Sequence, residues 1–92
     1  MELNDLIKRN YDARVRRGQI SSKTTNDDFY KKLLEEIGEV KESMSRTHKE
    51  FPLDEMEVID VILVCATRLH TLGFNVEKLL KEKVVFNENR ED

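Results

Sequence analysis

One cysteine, one proline, three glycines and no tryptophan are found among the 92 residues of this chain. A single cysteine excludes an internal disulfide, so no cross-linked framework compensates for the small size. Three scattered glycines exclude the Gly-rich loops with which P-loop and dinucleotide-binding folds cradle phosphate. Aromatic residues make up only 7% and are not interleaved with Lys and Arg, and the formal net charge is -3. A generic nucleic-acid binder is therefore not the expected class. The longest apolar run, 61–66, is far short of the roughly 20 residues that a membrane-spanning helix needs, so no membrane partner is expected. The opening MELNDLIKRNYD lacks the apolar core of a signal peptide. The expected compartment is the cytoplasm.

What is present is a chain that is 38% hydrophobic and 38% charged, with its apolar residues at regular intervals. It should fold, as a single domain over 1–92. Residues 1–25 form a basic arm, with six Lys and Arg against three acids, and residues 26–92 an acidic body, with ten against 16. Leu3, Leu6, Ile7, Tyr11 and Val15 recur at spacings of three and four, which predicts an amphipathic helix ending near Gly18. Residues 19–25 are polar and hydroxyl-rich and read as a linker. A second helix begins near Asn26, a fitting N-cap followed by two aspartates, and carries Phe29, Leu33, Ile37, Val40 and Met44 as its stripe before fading over 46–48.

Phe51, Pro52 and Leu53 mark the next entry, with Asp54 as cap and a third helix over 54–72 that Gly73 ends. Met56, Val58, Ile59 and the run 61–66 cover nearly its whole circumference, and such a helix needs burial on all sides. Asn75 caps a fourth helix with Val76, Leu79, Leu80, Val84 and Val85. The expected fold is all-α, a four-helix bundle-like subunit assembled as a homodimer or homotetramer, because 92 residues can scarcely cover the third helix alone.

The second and third helices carry acids that a helix pair would not need. Glu35, Glu36 and Glu39 stand on one, Glu57 and Asp60 on the other. Positions three apart lie about 60° from each other on a helix, so each pair, Glu36 with Glu39 and Glu57 with Asp60, can aim both carboxylates the same way. Glu36 and Asp60 are centred on position 48, and so are Glu39 and Glu57. An antiparallel hairpin folded near His48 therefore gathers four carboxylates. They would repel unless they face solvent, take up protons or bind a hard divalent cation, for which oxygen ligands without Cys or His are the expected set. Magnesium fits best and manganese next.

The segment Glu35-Glu36-Ile37-Gly38-Glu39 followed by Glu57-Val58-Ile59-Asp60 resembles the EExxE and ExxD signature of the MazG-like all-α nucleotide pyrophosphohydrolases. The likeness runs over residues 29–90, through the apolar run after Asp60 and the LGFNVEKLLKEK segment to Lys83, Asn87 and Arg90. It implies a helical bundle assembled as dimers or tetramers, and cleavage of a nucleoside triphosphate to monophosphate and pyrophosphate. Carried over, it makes Glu36, Glu39, Glu57 and Asp60 the magnesium ligands, with Glu36 or Glu39 also taking a proton from the attacking water. Lys83, Asn87 and Arg90, at spacings of four and three on one helical face, would grip phosphate oxygens. Glu35 sits about 100° from Glu36, where it is placed either to bind a second ion, to orient water or only to face solvent.

The chain departs from the family pattern in stopping two residues after Arg90 and in offering no obvious base-stacking motif before the second helix. Tyr11, Phe29 and Tyr30 are the aromatics available, so the nucleobase is undetermined. Two other functions compete: the phosphoribosyl-ATP pyrophosphohydrolase of histidine synthesis, similar in size and acidic pairs, and a non-catalytic helical interaction module. Cys65, His48 and His70 read as structural. Gly38 points either to close approach of a neighbour or to a tolerated surface glycine.

Overall fold

The computed structural model describes residues 2–46 and 54–90, and all regular structure among them is helical. Four helices follow in order: α1 Leu3–Arg16, α2 Asn26–Arg46, α3 Glu55–Thr71 and α4 Val76–Glu88. The expected turn at His48, and the entry at Phe51, Pro52 and Leu53, lie outside the described residues. The all-α expectation holds, and no described helix is long and apolar enough to cross a membrane.

The helix ends follow from local chemistry. Asp54 caps α3 by accepting from the Met56 amide at 3.0 Å, and Asn75 caps α4 by accepting from the Lys78 amide at 3.1 Å. α2 corrects the sequence reading. Its cap is Thr25, whose hydroxyl accepts from the Asp28 amide at 3.1 Å while the Asp28 carboxylate accepts from the Thr25 amide at 2.9 Å. This reciprocal box satisfies two orphan donors at once, and it holds the Asp28 carboxyl below the usual carboxylate range, through the Thr25 backbone first and its hydroxyl second. Asn26 is thereby released to accept from Arg68 Nη2 at 2.6 Å, tying the start of α2 to the end of α3.

Both α1 and α3 end on a left-handed glycine, Gly18 at φ 74° and Gly73 at φ 88°. At α1 the Gly18 amide bonds Val15 O at 3.0 Å and the Gln19 amide bonds Arg14 O at 2.9 Å. At α3 the Gly73 amide bonds His70 O and the Phe74 amide bonds Leu69 O. These paired bonds define Schellman turns, which need a residue at positive φ and so favour glycine.

α3 is the central element. α1 and α2 both pack on it, and α4 crosses α1 and α3; among the described residues α4 makes no contact with α2. The α1–α3 seam is polar at its centre, where Asn10 Nδ2 donates to Thr67 Oγ1 at 2.9 Å and Thr67 has no exposed surface. Tyr11 lies against His70, with ring centroids 5.0 Å apart. Asn4 ties the start of α4 down twice, donating to Asn75 Oδ1 and accepting from the Glu77 amide. Ile7, Ile20, Val64 and Val76 form the buried apolar core. Ile20 belongs to the segment read as a polar linker, yet it is buried and lines a cavity together with Phe29 and Val64.

The apolar girdle of α3 is only half covered. Met56 is 65% exposed, and Ile59 and Ile62 are also open. Among the described residues, nothing lies within 4 Å of where a Cβ of Gly38 would stand. The radius of gyration is 15.3 Å, where a compact domain of this length has about 12 Å.

Thr67→Val keeps the shape of the α1–α3 seam but leaves the Asn10 amide without its acceptor. It should cost about 1–3 kcal/mol, a fall in thermal midpoint of roughly 4–8 °C per kcal/mol for a domain of this size, measurable by circular dichroism.

Candidate metal centre

α2 and α3 run antiparallel, and their register can be read from pairs that mirror one another about position 48. The Asp54 amide donates to Ser43 Oγ at 3.4 Å near one end, and Arg68 meets Asn26 at the other. Between them Glu36, Glu39 and Glu57 each place a carboxylate oxygen within 4.8 Å of the others. That distance matches the span between opposite ligands of one hard cation, about 4–5 Å at metal–oxygen distances of about 2.1–2.5 Å.

Of the four expected ligands, the structure brings these three together. Asp60, one turn further along α3, is exposed and stands outside the set; it lines a cavity of about 240 Å³ together with Glu36 and Lys32. Glu35 is exposed and outside the set, with Lys32 Nζ at 3.7 Å.

The burial of these acids is uneven. Glu36 is 7% exposed, one oxygen is 3.0 Å from Lys32 Nζ, and Oε2 is buried with no hydrogen-bond partner. Glu57 Oε2 is likewise buried without a partner. Buried carboxylate oxygens without donors are costly, and two of them on members of a three-carboxylate cluster suit a hard cation. Glu39 is the more open edge. Its carboxyl is held above the usual carboxylate range by the charge of the adjacent Glu36 carboxylate first, then by burial and by Glu57. The Lys32 ammonium is raised by its hydrogen bond to Glu36, against an opposing effect of burial.

Beside this cluster, between α1 and α2 and above α3, lies a second cavity of about 260 Å³ that shares Arg14, Gln19, Lys32 and Val64 with the first. The Schellman turn of α1 sets Arg14 and Arg17 on these walls. Both guanidinium groups donate to Gln19 Oε1, each at 3.3 Å. These cations were not among the candidates read from the sequence, although the basic excess of residues 1–25 was visible there.

Lys83 and Asn87 lie on the exposed part of α4, but the helix ends at Glu88 and Arg90 falls beyond it, so the single helical face expected for the three is not formed; Lys83 Nζ stands 4.5 Å from the Phe86 ring centre and the Arg90 guanidinium 6.0 Å. α4 does not reach α2 within one chain, so these three are not brought to Glu36 and Glu39. Cys65 is half-buried, and burial pushes its thiol pKa up, away from nucleophilic character. Comparison with family models, curated proteins and solved structures gives no match.

The raised Glu39 carboxyl has a definite sign in stability. A carboxyl whose folded pKa lies above its unfolded value, about 4.3, contributes stability that is present below that value and lost as pH rises through the folded one. Glu39→Gln should therefore raise the thermal midpoint at pH 7 in the presence of a chelator, with the advantage shrinking toward pH 4. A lower midpoint at pH 7 would show that the three carboxylates do not repel.

Proposed function

We propose that the chain is a magnesium-dependent nucleoside triphosphate pyrophosphohydrolase of the MazG-like type, releasing nucleoside monophosphate and pyrophosphate. The observation that carries this reading is the convergence of Glu36, Glu39 and Glu57, with two buried carboxylate oxygens lacking donors. The signature quoted above supports it from the sequence side. Magnesium, or manganese in its place, would be held by these three, with Asp60 joining from the cavity side; when bound it acts as a Lewis acid toward phosphate oxygens and lowers the pKa of water.

The chain's own residues do the rest. Glu36 is buried and engaged by Lys32, whereas Glu39 is more open and its carboxyl is held above the usual carboxylate range. Glu39 is therefore assigned as the base that receives the proton of the attacking water. Lys32, sited between the acids and the cavity, balances the charge that Glu36 and the phosphates bring together. Lys83, Asn87 and Arg90 keep their expected phosphate contacts across a subunit boundary, where the α4 of a second copy closes the site.

That assembly is part of the proposal, a homodimer or a tetramer built from two dimers. One chain exposes 7305 Å², against about 5,600 Å² for a compact monomer of its mass. The excess, about 1,700 Å² per chain, is the scale that obligate homodimers bury. Met56 and Ile62 of α3, and Val84 and Phe86 of α4, are the open apolar groups that a second copy would cover.

A screen of triphosphates with magnesium, read by pyrophosphate release, tests the activity. Turnover should be present in the parent and fall at least about a hundredfold in Glu36→Gln and Glu39→Gln with helicity retained; a parent inert toward every triphosphate would sink the reading, and one that turns over phosphoribosyl-ATP alone would redirect it. Light scattering tests the assembly. A single-chain mass at low micromolar concentration, with native helicity, would remove the second copy.

A further inference from the structure

The cations at the end of α1 lack a counterpart. Arg14 and Arg17 share one neutral acceptor, Gln19 Oε1, and among the described residues neither has a carboxylate within ion-pair distance. Arg14 is half-buried, so part of its hydration is already lost. Its pKa is lowered by burial first and by Arg17 second, with only Glu36 opposing. A desolvated cation beside a like charge is unfavourable unless an anion joins it.

The room for that anion is present. Arg14, Arg17 and Lys32 line the cavity of about 240 Å³ with Glu36 and Asp60, and Lys32 is already drawn to Glu36. The adjoining cavity of about 260 Å³ continues past Arg14 to Ile20, Phe29 and Arg68. The end nearest the glutamates is thus polar and cationic, and the far end has an apolar wall and an aromatic ring. Together the two spaces reach the lower range of small-ligand pockets, about 300–1,000 Å³.

We propose that the end of α1 is the anion-binding half of the site: Arg14 and Arg17 hold the polyphosphate of a nucleotide, and the adjoining cavity takes its base against Phe29. Guanidinium forks suit phosphate oxygens because they donate two parallel hydrogen bonds. This arrangement sets the phosphates between the α1 cations and the Glu36 cluster, so the basic arm and the acidic body meet at the substrate. The inference deepens the nucleotide reading above and rests on it for the identity of the anion.

Calorimetric titration with inorganic pyrophosphate, with and without magnesium, tests it in the full chain. The parent should bind, and Arg17→Gln and Arg14→Gln should each weaken binding by about tenfold or more, whereas Lys81→Ala, an exposed cation elsewhere, should not. Arg17 is exposed, so its variant reports even if Arg14→Gln folds poorly; Arg14→Lys, which keeps the charge but not the fork, should fall between. Manganese titration of the same proteins separates the two readings. Arginine-dependent pyrophosphate binding in a parent that takes no manganese removes the metal centre and leaves this anion site. Unchanged pyrophosphate affinity in the Arg14 and Arg17 variants, a parent that binds no pyrophosphate, or loss confined to Lys83→Ala and Arg90→Ala would overturn the proposal.

Discussion

The mutual repulsion of like charges held between α2 and α3 is the constraint to which the other parts of the fold respond. Antiparallel packing fixes the register, and that register leaves Glu36, Glu39 and Glu57 no choice but to face one another. A surface pair could swing apart into water at little cost. Glu36 cannot, being buried under Lys32. The helix pair must hold these acids by packing and by its end fixings, the Asp54 amide on Ser43 and Arg68 on Asn26. Those ties bracket the carboxylates and stop the helices from sliding or splaying to relieve the repulsion.

α1 answers the same constraint from the other side. Its C-terminal turn brings two guanidinium groups within one cavity of Glu36, and Asn10 on Thr67 keys it onto α3. A buried polar key of this kind adds little net stability but penalises misregistered packing, because a slip leaves both groups unsatisfied. Position along α3 is thereby specified for α1 as tightly as for α2. Cations from α1 and acids from α2 and α3 thus line one space.

Much of this was legible in the residues. Asp54, Asn75, Gly18 and Gly73 stand where helix starts and stops demand their chemistry, and each performs that task in the structure. The shared midpoint of the acidic pairs was informative because a hairpin maps sequence symmetry onto spatial proximity, and three of the four acids meet accordingly. Asp60 stands outside because its place on α3 turns it toward the cavity, a rotation that spacing alone does not define. At the α2 cap two neighbours compete: Thr25 and Asn26 both suit the position, and Asp28, three residues after Thr25, decides it by closing the box. Arg14 and Arg17 could not be placed at the site from the sequence, since their position depends on how α1 crosses α3, a contact between residues more than fifty apart. Tyr11, considered for base stacking, is occupied by His70 for the same long-range reason.

The exposed part of α4 bears on the secondary structure itself. From position 80 to 90 every residue is exposed, and the helix is tied to other elements at its start, at Asn4, Asn75 and buried Val76. A helix of 13 residues is close to the length at which isolated helices are marginal in water. In the proposed assembly, the second copy over Val84 and Phe86 would set how much of α4 is wound, and ellipticity, ordinarily a property of the chain, would then change on dilution.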